Sequence, residues 1–433
     1  GDLSLIVEER GESLLLGAEY SGSAVGRETA QLVLDAFGAA LTACCRQPHR
    51  RVDDLDIGLG SSELVGPQLG EHELVVDRIL GHARSTPDSV AVRAGGEETS
   101  YHELHARARM IAAGIRSAAP TPRRVGVALH RTSDLLPAIL GTWLAGAAYV
   151  PLDPAAPPAR RHRIVGAAEL DLVLADRDVS EWCPVPTLDL SDLDDAPLDE
   201  AVEISPDDPA YVIFTSGSTG VPAGVAVSHG NLAASTGARA AVYGGSSPDR
   251  FLVTSSIGFD SSMVGLFWPL ATGGSVLLAG DDDVHDIDGL AALVDQHAAT
   301  HLLMVPSLYR ALLDRHSERL GSLEVAIVAG ESCPAALIDR HTMLLPTTAL
   351  YNEYGPTEAT VWASVHHCAA GDDPVPIGRP VPGARLRVVD ASGRAMSQGA
   401  IGELWISGPG VVAGYVSGRD SSVFVERDGA RWY

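Results

Sequence analysis

Lysine is absent from all 433 residues, so every one of the 31 basic side chains is an arginine. A GC-rich genome is the bland reason, but the absence also removes the usual flexible ammonium that could meet a phosphate. Aspartate and glutamate number 56, and a net charge of −25 lacks the basic surface that nucleic acid or anionic membranes select. The cysteines are Cys44, Cys45, Cys183, Cys333 and Cys368, with no Cys-x-x-Cys spacing, so neither a zinc cluster nor a disulfide framework is signalled. The opening GDLSLIVEERG has no basic flank and no long apolar core, which excludes a secretion signal and makes the cytoplasm the expected compartment. The longest apolar run, residues 135–152, is broken by Pro137 and by glycines. It is barely long enough to span a membrane and reads as a buried helix leading into a strand. No internal repeat or low-complexity tract occurs, and the acidic stretch 189–200 reads as a solvated loop.

The chain is rich in core-forming residues, with 45% hydrophobic side chains. That share excludes a disordered chain, and the length implies two or three subdomains. LSLIVEE (3–9) and SLLLGAEY (13–20) read as strands joined by a turn at Arg10-Gly11, followed by a helix over 28–45 with helical apolar spacing. Two strands and one helix cannot bury a core by themselves, so residues 1–57 read as a fragment that leans on other chain. Residues 58–72, rich in Gly and Ser, read as a linker.

Strands and helices alternate from Leu74 onward. The spacing predicts a helix over 76–87, a strand over 90–93, and a helix over 99–118 capped by Thr99 or Ser100 with Glu103 completing a capping box. A strand over 125–129, a helix capped by Thr132 or Ser133, and a strand over 149–152 follow. A second alternating stretch covers 250–328. This alternation predicts parallel sheets with helices on both faces, an α/β fold. Residues 385–389, 402–406 and 414–416 read as short strands of a small β-rich, barrel-like subdomain.

The strongest chemical signal is YVIFTSGSTGVPAG, residues 211–224, a buried strand running into hydroxyls and glycines. Such a loop directs backbone N–H and side-chain O–H donors inward and suits a phosphate. It lacks the Gly-Lys-[Ser/Thr] ending of kinase and GTPase P-loops. TSGSTG followed by Pro and Gly resembles the phosphate loop of the adenylate-forming enzymes, which include acyl-CoA ligases, luciferases and the adenylation domains of non-ribosomal peptide synthetases. SYHEL (100–104), WLAGAAYVPLD (143–153), FDSS (259–262), NEYGPTE (352–358) and GELWISGPG (402–410) resemble further adenylation-domain motifs, in the same order. The amino-terminal stretch resembles the end of a condensation domain. That domain's His-His-x-x-x-Asp-Gly motif is missing, and His366-His367-Cys-Ala-Ala-Gly-Asp is only a reversed lookalike.

The resemblance implies a division into a condensation-domain tail (1–57), a linker (58–73) and the large subdomain of an adenylation domain (74–433). It places the ATP β- and γ-phosphates on Thr215, Ser216, Gly217, Ser218, Thr219 and Gly220. Gly330, Glu331 and Ser332 would pass along the adenine, Tyr354 would stack on it and Asn352 would bond its edge, with Glu353 between them. Thr357 would contact the α-phosphate and Glu358 would bind Mg²⁺, a role suited to a hard oxygen ligand. Thr215, Ser216, Thr357 and Glu358 are thus the expected catalytic set.

By the same resemblance, Asp260 would pair with a substrate α-ammonium, which implies an amino acid rather than a fatty or aryl acid; a loop-capping role is the plainer alternative. Ser261, Val264, Met304, Ile327, Ala329, Glu353, Val361 and Trp362 would line the side-chain pocket, with Met304 and Trp362 limiting its depth. Glu353 would either receive a polar donor from the substrate or face solvent at the rim. The implied activity joins an amino-acid carboxylate to the α-phosphate of ATP, then loads a carrier-protein phosphopantetheine thiol. The implied partners are carrier and condensation domains of one synthetase, and a small MbtH-like helper where one is needed; nucleic acid and membrane are not among them. An acyl-CoA ligase and a scaffold that binds without turnover remain the alternatives.

Three departures from the family pattern stand out. Ala223 replaces the usual Lys after the loop and Ala413 the usual Arg of an Ala-Arg-Gly-Tyr stretch. Beyond Trp432-Tyr433 the family continues into a ribose-binding Asp and a lid bearing a catalytic lysine, which this sequence does not contain.

Overall fold

The computed structural model describes residues 2–50, 62–177, 179, 181–193, 196–198, 202–216, 222–417 and 420–433. The chain divides into two compact units, one of residues 1–64 with 386–405 and one of residues 65–385 with 406–433.

In the first unit, Leu3–Arg10 pairs antiparallel with Ser13–Tyr20, and Arg10 faces Ser13 across a two-residue turn. Gly11 opens that turn at φ +63°, a conformation open to glycine without steric cost. The helix Arg27–Arg46 lies on the hairpin, where Gly38 lets Leu16 approach closely. Ala30 is its one fully buried residue, and Leu5, Ile6, Val7, Leu14 and Leu15 are exposed. The sparse core agrees with what two strands and a helix can bury. Segment 386–405 joins this unit through Ser62, whose amide donates to the Met396 carbonyl at 2.9 Å, and through the Arg387–Glu63 ion pair.

The second unit carries two large sheets. One runs, in spatial order, Tyr415–Ser417, Pro222–Ser228, Pro209–Ser216, Ala148–Pro151, Arg124–Ala128, Leu172–Ala175 and Thr187–Asp189. The other has nine strands, with Ala349–Tyr354, Val325–Ala329, His301–Met304, Arg250–Val253, Ser275–Leu278 and Val90–Ala94 successive and parallel. The alternation predicted from sequence is therefore present as parallel strands at the centre of two mixed sheets, with antiparallel pairs such as Pro209–Ser216 with Pro222–Ser228 and Val90–Ala94 with Glu97–Ser100 toward their edges.

Local chemistry explains the elements. Ser100 caps the helix Tyr101–Ala118: its Oγ accepts from the Glu103 amide, and the Glu103 carboxylate accepts from the Ser100 amide at 2.8 Å. The apolar run becomes the helix Leu135–Leu144, buried at all ten positions, followed by the strand Ala148–Pro151. Neither Thr132 nor Ser133 caps that helix. Asp134 occupies the cap position without a side-chain cap bond, because its carboxylate is turned to Arg107 at 3.0 Å. Trp143, in the same helix, packs on Phe267 and His229, and its indole N–H donates to the Ala210 carbonyl at 2.7 Å. Arg131 fastens the carboxyl ends of two strands by donating to the Ala279, Ser255 and Val253 carbonyls.

The β-rich carboxy-terminal region differs from the expectation in one strand. Tyr415–Ser417 pairs with Pro222–Ser228, Val225 facing Tyr415, and so extends the seven-stranded sheet. Val425–Arg427 and Ala430–Trp432 form a hairpin, with Trp432 facing Ser407. His366 lies on the strand Ser364–His367, its Nε2 2.7 Å from Asp372 Oδ2, so the reversed motif is a local, partly buried His–Asp hydrogen bond. No helix among the described residues is long and apolar enough to cross a membrane.

Candidate active site

Ligand clefts in open parallel sheets form beyond the carboxyl ends of the strands. Four such ends meet here. Arg250–Val253 leads to the turn bearing Asp260, His301–Met304 ends at Met304, Val325–Ala329 runs into Gly330 at φ +83°, and Ala349–Tyr354 ends at Tyr354. Together they line a cleft of about 770 Å³, within the usual range for a small-molecule site.

Asp260 stands half-buried in its wall. Burial pushes its carboxyl up to about 6, against hydrogen bonds from the Thr357 hydroxyl and the Ser261 amide that favour the ionised form; the nearby Glu358 raises it further. A half-buried carboxylate with no basic partner among the groups that shift it is suited to a ligand cation. Thr357 is thus seen on Asp260 itself. Glu358 is buried, and its Oε1 accepts from the Tyr415 hydroxyl at 2.5 Å.

Tyr354 is 39% exposed, leaving its ring available to a flat ligand. Asn352 is buried and donates to the Pro376 carbonyl at 3.0 Å. Glu331 accepts from the Ser307 amide and hydroxyl at 3.2 and 3.1 Å. Gly330, Glu331, Ser332, Asn352, Glu353 and Tyr354 all line the cleft, as do Asp260, Ser261, Met304, Ala329 and Val361. Thr215 and Ser216 end the strand Pro209–Ser216, and the Thr215 hydroxyl donates to the Ala223 carbonyl at 3.5 Å. Gly217, Ser218, Thr219 and Gly220 lie outside the described residues. Ala223 faces Thr215 in the strand pair and is fully buried, so an alanine fits there where the family has lysine.

Three expected pocket positions need correction, and for a fourth, Glu353, one of the two expected alternatives fails. Val264 is buried on the helix Ser262–Thr272 and Ile327 is fully buried, two residues further down its strand than Ala329; neither lines the cleft. Trp362 is also buried off the cleft, its indole N–H donating to the Ser235 carbonyl at 3.2 Å, so it does not set the cleft's depth directly. Glu353 is not a solvent-facing rim residue. Its carboxylate accepts from Arg239 at 2.6 and 3.2 Å and from the Tyr243 hydroxyl. The strand's two-residue period explains this, since Asn352 and Tyr354 share one face and Glu353 takes the other.

Arg239, Tyr243, Tyr415 and Arg160 escaped the motif reading. Arg160 lies 5.3 Å over the Phe259 ring and 3.5 Å from the Phe214 carbonyl, a cation at the cleft's edge beside the strand Pro209–Ser216. None of the four sits in a motif with Asp260 or Glu358, and only the fold brings them together.

A family model described as AMP-binding enzyme matches residues 81–416. A protein of Salinispora arenicola (strain CNS-205), described as a probable non-canonical nonribosomal peptide synthetase, CymA, is 33% identical over 98% of this chain and 6% of its own length. Syringomycin synthase SyrB1 of Pseudomonas syringae pv. syringae is 36% identical over 83% of this chain and 61% of its own. The chain thus spans only part of the curated relatives it matches. The crystal structure of holo-AB3403, a four-domain nonribosomal peptide synthetase bound to AMP and glycine, superposes with a TM-score of 0.88 at 27% identity, over 100% of this chain and 34% of that one.

Proposed function

Since this chain belongs to the AMP-binding enzyme family, we propose that it holds the ATP and amino-acid site of a nonribosomal peptide synthetase adenylation domain. The observation that carries the amino-acid part is Asp260, a carboxylate in the wall of the strand-end cleft whose surroundings favour a cation. An α-ammonium paired with Asp260 would leave the substrate carboxylate free to meet the nucleotide. One carboxylate oxygen attacks the α-phosphorus, the bond to the bridging oxygen breaks, and aminoacyl-AMP and pyrophosphate form. Tyr354 offers the purine a ring face, and the loop 215–220 offers donors to the phosphates. Thr357, bonded to Asp260, would link the amino-acid and nucleotide halves of the site. Catalysis of this kind rests on positioning and electrostatics.

Glu358 fits a Mg²⁺ ligand, because one oxygen is held by Tyr415 and a single carboxylate with phosphate oxygens is a common Mg²⁺ environment. When bound, the ion would neutralise phosphate charge. The adenylate's fate would be transfer to the phosphopantetheine thiol of a carrier domain. In the same reading residues 1–57 are the tail of a condensation domain and 58–73 a linker, a small MbtH-like helper joins where one is needed, and the setting is cytoplasmic.

Amino-acid-dependent exchange of radioactive pyrophosphate into ATP tests the proposal. With this stretch joined to the lysine-bearing lid that the family pattern places after it, at least one α-amino acid should stimulate exchange well above background, and this stretch alone should be slower by orders of magnitude. Stimulation only by carboxylic acids without an α-amino group would replace the reading with an acyl-CoA ligase.

A further inference from the structure

Glu353 is an acidic residue in the wall of a cleft whose other contacts include Met304, Ala329 and Val361, yet its charge is withdrawn from the cleft. The helix His229–Val242 supplies Arg239, and Tyr243 follows at its carboxyl end. The Arg239 and Glu353 side chains are each 2% exposed. Two guanidinium nitrogens meet the carboxylate, and the Tyr243 hydroxyl supplies a third donor. The guanidinium is also boxed by aromatic faces, 4.1 Å from the Trp362 ring and 5.5 Å from that of Trp268. Tyr243 stacks parallel to Trp362 at 6.2 Å. This is a rigid, charge-compensated unit directly behind the cleft wall.

We propose that Arg239 is a specificity-determining positioning residue: it holds and neutralises Glu353, so that the cleft selects amino acids with uncharged side chains. The inference rests on the amino-acid reading above. Arg239 touches no substrate in this scheme and acts only through Glu353. Without the guanidinium, a carboxylate with no countercharge would remain at the cleft wall, and a cationic substrate side chain would be its natural partner. Without the carboxylate, a buried guanidinium would favour an acidic side chain.

Pyrophosphate exchange with a full amino-acid panel, compared as kcat/KM ratios, tests this. The unaltered protein should prefer an uncharged side chain to lysine and ornithine. Arg239→Met should raise the ratio of ornithine or lysine to the best neutral substrate by roughly 100-fold, about 2.7 kcal/mol, a little less than the full cost of breaking a buried pair. Glu353→Gln should instead move the ratio toward aspartate or glutamate. Arg239→Lys, which keeps a countercharge, and the double variant Arg239→Met/Glu353→Gln, which leaves none, should both return to the original order. A common fall for all substrates with the order unchanged in both single variants would make the pair structural and overturn the proposal. A native preference for lysine or ornithine would overturn it without any variant, so a misfolded Arg239→Met would not leave the question open. Exchange with no amino acid at all, but with carboxylic acids lacking an amino group, would instead sink the amino-acid reading.

Discussion

Asp260 joins stability and function through one carboxyl group. Its value of about 6 in the folded chain lies above the ordinary 3.8, so the folded state holds this proton more tightly than the unfolded state does. The group's contribution to stability is therefore most favourable below pH 3.8 and declines as pH rises to 6, with a total cost of about 3 kcal/mol above that. On the proposed reading, the same ionisation would create the partner for an α-ammonium. Amino-acid affinity should fall roughly tenfold per pH unit below 6 and level off above it. Asp260→Asn should remove that pH dependence, weaken amino-acid binding by about 3–5 kcal/mol, spare ATP binding, and raise the melting temperature at pH 8. Calorimetric titration and a thermal melt check all four. Unchanged amino-acid affinity in the variant would remove Asp260 from the substrate site. Glu358 gives a parallel test. Glu358→Gln should weaken ATP binding roughly 10–100-fold in Mg²⁺, the range for disturbed metal ligation, but scarcely in EDTA. Equal losses in both would mark a structural carboxylate held by Tyr415.

At the scale of elements, sequence periodicity revealed most of what the backbone does. The Ser100–Glu103 capping box and the buried helix Leu135–Leu144 followed the spacing of hydroxyl, acid and apolar residues, because caps and amphipathic faces are local. Asp260 and Tyr354 were picked out differently, through the motifs FDSS and NEYGPTE that resemble the family's, and the structure places both in the wall of the cleft. Glu353 and Trp362 were not legible. Glu353 takes the strand face opposite its neighbours and finds Arg239, which sits 114 positions away. Trp362 follows Thr360 at φ +55° and Val361 at φ +78°, and no sequence pattern announces two successive left-handed residues that are not glycine. The chain folds back so tightly there that a Cβ on Gly355 would fall on the Trp362 backbone. Gly355→Ala should consequently lower stability by about 2 kcal/mol or more, as overpacking against fixed backbone does. Gly81 lies inside the helix Val75–Ser85 with open space around it, so Gly81→Ala should be neutral or stabilise by up to about 1 kcal/mol. Denaturant melts of both variants check the contrast, and equal effects would mean that the folded-back loop yields easily.

For the molecule as a whole, the net charge of −25 sets the field that an incoming nucleotide meets. Most nucleotide sites draw their ligand in with positive charge, but here the usual lysine after the phosphate loop is Ala223, and Arg160 is the cation seen at the cleft's edge. The long-range field should therefore repel ATP while the short-range contacts attract it. These two contributions screen differently. The Debye length is about 30 Å at 0.01 M salt and about 8 Å at 0.15 M, so added salt removes the repulsion from distant acids before it weakens contacts inside the cleft. Association of ATP at fixed free Mg²⁺ should speed up several-fold between those two salt concentrations, contrary to the steering of anions by basic sites. A zwitterionic amino acid has no net charge, and its association rate should hardly change over the same range. Stopped-flow binding of both ligands makes the comparison within one protein. A rate for ATP that falls with salt would mean that Arg160 and its surroundings dominate the field at the cleft, and that the acidic surface is too far away to matter.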